Sequence, residues 1–245
     1  VFVLDTSGSM NGKYATLAAG VEKALKRLNA GDRFRIVTFN NQAGELTSGY
    51  TPSTSENVQS YIQRVSQLQP GGGTNLYAGL QLGLQGVDSD RPSGLLLVTD
   101  GVANVGLTQQ RDFLKLAATH DVRLFTFMMG NSANVPLLEH LADATNGFAM
   151  GVSNADDVVG KIMLAVEKLS HQALHDVKLT IDGVETRDLA PESPSSLYAG
   201  QQLTLLGKYR DGGKATIKLS GKIGGQPIDY RTTVELPKSS PLYPE

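Results

Sequence analysis

Between Val1 and about Ser170 the apolar positions switch repeatedly between two periods. Val1 to Leu4 is a short apolar run that stops at Asp5. Leu17, Val21, Ala24, Leu25 and Leu28 then recur at helical spacing. Arg33 to Phe39 predicts a strand, with Phe34, Ile36, Val37 and Phe39 apolar, and Glu45 to Tyr50 predicts a short edge strand. Val58, Ile62 and Val65 mark a helix capped within Ser53 to Ser55. Gly71 to Thr74 reads as a loop, Leu76, Leu80, Leu84 and Val87 as a helical stripe, and Gly94 to Thr99 as a buried strand ending at Asp100. Thr108 is placed to cap a helix through Phe113, Leu114 and Ala117. Val122 to Met128 predicts a strand, with Met129 extending it into the core. Asn134 is placed to cap a helix with Pro136 in its first turn and Gly147 past its end. Phe148 to Val152 predicts an edge strand, and Val158, Val159, Ile162, Val166 and Leu169 one face of a last helix.

Strands alternating with helices imply right-handed crossovers and a mostly parallel sheet covered on both faces. The expected class is therefore α/β, doubly wound, over residues 1–170. After about His171 the period changes to two. Val177, Leu179 and Ile181 alternate with polar residues before Asp182-Gly183, a hairpin signal. Leu203 and Leu205, then Ala215, Ile217 and Leu219, then Ile228, Tyr230, Thr232 and Val234 continue the alternation. Turn residues stand at Asp211-Gly212-Gly213 and at Gly224 to Pro227. Residues 171–245 are thus expected to form a small all-β segment of about five strands, part of it pairing with residues upstream of Val1.

Composition narrows the function classes. The 245 residues are 40% hydrophobic and 19% charged, enough for a true core. A net charge of -2 argues against a nucleic-acid binder, which needs a basic stripe. No apolar run reaches membrane-spanning length. With 0 cysteines, thiolate zinc sites and cysteine nucleophiles are excluded. Val1 enters a strand with neither an initiator Met nor a leader ahead of it, so the chain is expected to be a fragment or processed product.

The chemistry concentrates at strand ends, where open α/β sheets bind ligands. Asp5, Ser7 and Ser9 alternate just past the first strand, each carrying a hard oxygen, with Gly8 to let the backbone bend. Mg²⁺ takes octahedral oxygen ligation at roughly 2.0–2.1 Å and keeps some waters. Thr74, after three glycines, adds a hydroxyl, and Asp100 a second carboxylate. Asp-x-Ser-x-Ser alone is also the pattern of a capped turn; Thr74 and Asp100 in matching contexts favour a metal site. Mn²⁺ and Ca²⁺ suit the same oxygen set.

Asp-x-Ser-x-Ser with a distant Thr and a distant Asp resembles the metal-ion-dependent adhesion site of von Willebrand factor A domains, over Val1 to about Ser170. The wording Val3-Leu4-Asp5-Thr6-Ser7-Gly8-Ser9-Met10, Gly72-Gly73-Thr74-Asn75 and Val98-Thr99-Asp100-Gly101 is most similar to the branch of inter-alpha-trypsin inhibitor heavy chains and their bacterial surface-protein relatives. The resemblance implies direct ligation by Ser7, Ser9 and Thr74, with Asp5 and Asp100 acting through water. It also implies an open position for an acidic side chain of a protein partner, received in the cleft around Gly73, Thr74 and Asp100. The last helix shifts on ligand binding in some members.

The expectation is a non-enzymatic, metal-dependent adhesion or binding module, extracellular or on a cell surface, with the periplasm as an alternative compartment. A metal that only ties strand ends together is the second reading. Hydrolysis is the third, and it fits poorly. A haloacid-dehalogenase-like site wants a second Asp where Ser7 stands, and neither Ser7 nor Ser9 sits in a Gly-x-Ser-x-Gly elbow. Asn11, Asn75 and Asn104 read as turn or capping residues, and His120, His140, His171 and His175 as surface residues.

Overall fold

The computed structural model describes residues 1–87, 93–120, 122–130, 133–152, 158–169, 173–191, 194, 196–198, 202–223 and 226–238. By contacts the chain divides into two compact units, one of residues 1–87 and 93–170, the other of residues 88–92 and 171–245.

In the first unit β1 (Phe2–Asp5) leads through a 3-10 turn (Gly8–Met10) into α1 (Tyr14–Leu25). Then follow β2 (Arg33–Phe34), β3 (Ile36–Phe39), β4 (Ala43–Glu45), β5 (Thr51–Pro52), α2 (Ser55–Ser66) and α3 (Leu76–Leu84). The second half is β6 (Gly94–Thr99), α4 (Gln110–Ala118), β7 (Arg123–Met129), α5 (Val135–Ala144), β8 (Phe148–Val152) and α6 (Val158–Leu169). Six strands form one sheet in the order β4-β3-β1-β6-β7-β8. All neighbours run parallel except the β3–β4 pair at one edge.

Residue alternation along the strands splits the core in two. Phe2 and Leu4, Leu96 and Val98, and Phe125, Phe127 and Met129 face Leu17, Val21, Val65, Ile162 and Ala165 from α1, α2 and α6. Val3, Val37, Phe39, Leu95 and Leu97 face Leu76, Leu80, Phe113, Leu138 and Leu141 from α3, α4 and α5. Burial on both faces selects mostly apolar residues, and β6 and β7 are buried at every position, with Thr99, Arg123 and Thr126 their polar members. The doubly wound α/β expectation is what the structure shows.

The local differences have local causes. The expected Arg33-to-Phe39 strand is interrupted at Arg35, where the chain passes from pairing with β5 to pairing with β1; the Arg35 guanidinium is engaged at 2.7 and 2.9 Å by the Glu45 carboxylate. The edge strand is Ala43–Glu45 rather than Glu45 to Tyr50. Beyond Glu45 the backbone turns off: Leu46 N donates to Ile36 O at 2.9 Å, and Thr47 Oγ1 accepts from Ile36 N at 3.1 Å. Thr108 is not a cap; the N-cap of α4 is Gln109, without a side-chain bond. Thr54 and Asn134 do cap, accepting from Asn57 N and Leu137 N, each at 3.3 Å. Past α5 the left-handed residue is Asn146, at φ 54°. Gly147 serves close packing instead, since a β-carbon there would lie 1.8 Å from Leu124 O.

The second unit contains β9 (Ala173–Asp182), β10 (Glu185–Ala190), β11 (Leu197–Tyr198), β12 (Leu206–Arg210), β13 (Gly213–Ile223) and β14 (Gln226–Leu236). Asp182-Gly183 does turn the chain, with Gly183 at φ +97°. It does not make the expected hairpin. Strand β9 pairs with β13 and β11, and β10 pairs with β12 in a separate two-stranded sheet. Leu203 and Leu205 precede β12 rather than forming a strand. The β13–β14 ladder runs to Ile223↔Gln226. The expected turn there falls partly on 224–225, which, like His171, lie outside the described residues.

Candidate metal centre

Strands β1 and β6 are parallel neighbours, paired Phe2↔Leu96, Val3↔Leu97 and Leu4↔Val98. From β1 the chain goes first to β3 on one side, then crosses to β6 on the other. The sheet's switch point therefore lies between the carboxyl ends of these two strands, where crossover connections diverge and leave a crevice. Asp5 ends β1 and Asp100 follows β6, both with 0% exposure.

The segment after β1 is shaped by two backbone bonds to the glycine loop. Gly8 N donates to Gly72 O at 3.0 Å, and Gly71 N donates to Thr6 O at 2.8 Å. A β-carbon on Gly8 would sit 3.4 Å from Gly72 O, an ordinary contact, and Gly8 makes no left-handed bend. The loop bends at Gly72, at φ +80°. Two asparagines fasten it: Asn41 Oδ1 accepts from Gly73 N at 2.7 Å, and Asn104 Oδ1 accepts from Thr74 N at 2.9 Å. Asn75 begins α3, its side chain accepting from Ala78 N at 3.2 Å.

These elements bring hard oxygens together. Ser7 Oγ and Ser9 Oγ are 3.0 Å apart. Ser9 Oγ donates to Asp100 Oδ1 at 2.7 Å. Thr74 Oγ1 and Ser9 Oγ lie 3.2 and 3.8 Å from where a β-carbon on Gly101 would stand, so only glycine keeps that point clear. Asp5 Oδ1 accepts from Ser7 N at 2.8 Å, and Oδ2 accepts from Thr99 Oγ1 at 2.6 Å. Ser7 and Thr74 are buried; Ser9 and Gly72 are exposed and form the open side.

Burial pushes the Asp5 carboxyl above its ordinary range; hydrogen bonds from Ser7 and Thr99 pull it back, and the Asp100 charge pushes it up again. A cation in the cleft would relieve that burial cost. The donor set fits a hard divalent ion. Neighbouring ligands of an octahedron with bonds of about 2.1 Å stand about 3.0 Å apart, the separation of the two serine hydroxyls. No cluster of three or more His, Cys, Asp or Glu occurs among the described residues; the set here is mainly hydroxyls.

Three residues of the site escaped the sequence reading. Thr99 supports Asp5. Asn41 holds the loop. Lys13 Nζ donates to Asp100 Oδ2 and, at 3.3 Å, to Ser9 O. Of these only Lys13 leaves a signal in the sequence. It sits at the start of a helix, where the macrodipole disfavours a cation, with no acidic residue in the first turn. Of the histidines, His120 Nδ1 lies 2.9 Å from Thr119 Oγ1 and His140 Nδ1 lies 2.5 Å from Pro136 O, at helix positions away from these oxygens.

A family model for the von Willebrand factor type A domain matches residues 1–150. The chain belongs to that family. Within it the chain falls in the inter-alpha-trypsin inhibitor heavy chain-like branch. It is 26% identical over 247 residues to the human inter-alpha-trypsin inhibitor heavy chain H4, covering 95% of this chain and 27% of that protein. It is 25% identical over 249 residues to the bovine heavy chain H3, covering 96% of this chain and 28% of the relative. The chain thus spans about a quarter of the length of these relatives. Its fold is similar to a von Willebrand factor type A protein from Catenulispora acidiphila, with a TM-score of 0.73 at 16% identity, over 96% of this chain and 65% of that one. Proximal thread matrix protein 1 of the mussel byssus, in a form described with a zinc-occupied MIDAS motif, gives a TM-score of 0.56 at 19% identity, over 73% and 48%.

Proposed function

We propose that residues 1–170 form a metal-dependent binding module, and that residues 171–245 form a β-rich segment attached to it. Von Willebrand factor A domains commonly mediate protein–protein interaction and adhesion. In this chain the interaction runs through a divalent cation, Mg²⁺ in the first instance, held by Ser7, Ser9 and Thr74. The single observation that carries the reading is the meeting of the Ser7, Ser9 and Asp100 oxygens, at 3.0 and 2.7 Å, at the switch point of a parallel sheet. The zinc-occupied motif of the mussel neighbour supports it from outside.

A bound ion would supply a hard Lewis-acid position for an anion. The chain's residues do the rest. The serine and threonine hydroxyls ligate without neutralising. Asp5 and Asp100 are each engaged by hydroxyl or ammonium donors, so they balance charge through solvent rather than saturating the ion. That leaves the cleft beside Gly73, Thr74 and Asp100 electrophilic toward an acidic side chain of a protein partner. Exposed Val102 and Leu107, in the loop after β6, offer apolar surface in the same connection. Binding rather than turnover fits the neighbourhood: Ser7 and Ser9 contact each other, Ser9 contacts Asp100, and no bond to a histidine base is seen for either among the described residues. An extracellular or surface setting goes with this reading; no helix among the described residues is long and apolar enough to cross a membrane.

The test is thermal unfolding after exhaustive chelation, with Mg²⁺ or Mn²⁺ returned at millimolar concentration. The midpoint rises for the wild type and not for Asp5→Ala. Identical midpoints with and without the ions sink the proposal. A second reading, an ion that only ties the strand ends, draws on the burial of Asp5, Ser7, Thr74 and Asp100. It gives the same thermal shift, but carboxylate ligands do not bind to the loaded protein.

A further inference from the structure

Lys13 stands at the site without belonging to the proposed ligand set. It precedes α1, where exposed N–H groups and the helix dipole make a cation unwelcome. Asp100 holds it there: Nζ donates to Asp100 Oδ2 and to Ser9 O. The lysine side chain is 23% exposed and that of Asp100 is 0% exposed. The opposite carboxylate oxygen, Oδ1, accepts the Ser9 hydroxyl. One oxygen of Asp100 thus faces the hydroxyl donors while the other is tied to an ammonium of the same chain.

We propose that Lys13 is a built-in countercharge that sets the balance of the site, weakening its hold on the metal ion and strengthening the loaded site's hold on an acidic ligand. The inference rests on the metal reading above. Two physical effects lead to it, and both push the same way. The first is charge. Asp5 and Asp100 bring two negative charges and Lys13 returns one, so a divalent ion leaves the site with one net positive charge. Without Lys13 the loaded site would be neutral. One ammonium therefore repels the incoming dication and attracts the incoming monoanion, and at this burial neither effect is screened as on an open surface.

The second effect is orientation. With Oδ2 held by Lys13, Asp100 has a single oxygen to turn toward the cleft. A carboxylate no longer held by the ammonium would present more of its charge to the ion and neutralise more of it. The ion would then bind more tightly and accept an external carboxylate less readily. An ordinary structural ion pair pinning the start of α1 to the end of β6 predicts something different. Its loss would loosen the site, and both affinities would fall together or stay unchanged.

The opposite signs make the test. The full chain is compared with Lys13→Met and Lys13→Gln, the second retaining a polar group should the first fail to fold. Lys26→Met serves as the control for net charge, since Lys26 pairs with Glu22 along α1. Mn²⁺ affinity is read from the electron paramagnetic resonance signal of the free ion. Acetate is then titrated into the Mn²⁺-saturated protein at constant ionic strength, followed by water-proton relaxation. Both Lys13 variants are expected to bind Mn²⁺ about tenfold more tightly and acetate at least about threefold more weakly, a reversal that Coulomb repulsion at low screening supports. The control moves neither. A folded Lys13 variant that binds Mn²⁺ no more tightly than the wild type, or acetate equally well, overturns the inference while the metal reading stands. Mn²⁺ bound by none of the proteins overturns both.

Discussion

Replacing Thr99 by Val isolates the bond that supports Asp5. Thr99 is fully buried, and its hydroxyl donates to Asp5 Oδ2 at 2.6 Å while accepting Gly101 N at 3.3 Å. Valine matches the shape, so no cavity opens. A hydrogen bond to a charged group contributes about 1.5–3 kcal/mol, and a buried acceptor deprived of its donor keeps its full desolvation cost. The long Gly101 contact adds at most about 0.5 kcal/mol on the same scale. Burying a methyl in place of a hydroxyl returns up to about 0.8 kcal/mol. The net expectation is a loss of about 2 kcal/mol. For a unit of this size that lowers the midpoint by about 4–8 °C.

Far-ultraviolet circular dichroism reads this change selectively, because all six described helices lie in the unit that carries the site. Urea unfolding of the metal-free protein at 222 nm gives the free energy. Asp5→Asn provides the background for a double-mutant cycle: with a neutral amide at position 5, Thr99→Val is expected to cost less than half as much. A loss below about 0.5 kcal/mol in the wild-type background, within the range of unremarkable substitutions, would refute the claim that the bond sustains a buried charge. So would an equal loss in both backgrounds.

Three further outcomes test other parts of the molecule. Arg35 holds the Glu45 carboxyl below its ordinary value of 4.5; the pair therefore stabilises above about pH 4.5 and is lost as pH falls through the depressed folded value. Acid unfolding of Glu45→Gln should lack that component, so the gap between wild type and variant narrows below pH 4.5. In Gly79→Ala the new β-carbon would lie 2.6 Å from Phe39 Cδ1; overpacking of about 1–3 kcal/mol outweighs the gain in helix propensity of about 1 kcal/mol, and urea unfolding should show a less stable protein. Asn104→Ala removes the acceptor of Thr74 N; stability should fall by about 1 kcal/mol, with Mn²⁺ affinity dropping in the same titration used for Lys13.

The central sheet was legible because burial on both faces leaves a strand mostly apolar. Gly94 to Thr99 and Arg123 to Met129 have that form apart from Thr99, Arg123 and Thr126, and the switch point follows from their order. Pairing in the second unit was not legible. A turn at Asp182-Gly183 fixes a change of direction, but it does not decide whether β9 takes β10 or β13 as its neighbour. The meeting of the Ser7, Ser9 and Asp100 oxygens was legible because their types repeat a known order at strand ends. Their supports were not. Thr99 reaches Asp5 across 94 residues, Lys13 reaches Asp100 across 87, and Asn41 reaches Gly73 across 32. No periodicity links such positions.

Those long-range supports divide the site into a fixed part and an adjustable part. Asp5, Ser7, Ser9 and Asp100 hang from the ends of β1 and β6, in the middle of the sheet and against both halves of the core. Thr74 comes from elsewhere. It rides on a loop that bends at Gly72, is held by the side chains of Asn41 and Asn104, and is tied by backbone bonds to Thr6, Gly8, Asn104 and Val105. Moving Thr74 requires exchanging such bonds, whereas moving Asp5 or Asp100 requires disturbing a packed strand. On the proposed reading, the serines and aspartates set which ion is held and how tightly. The glycine loop is then the element through which an arriving acidic ligand would be felt.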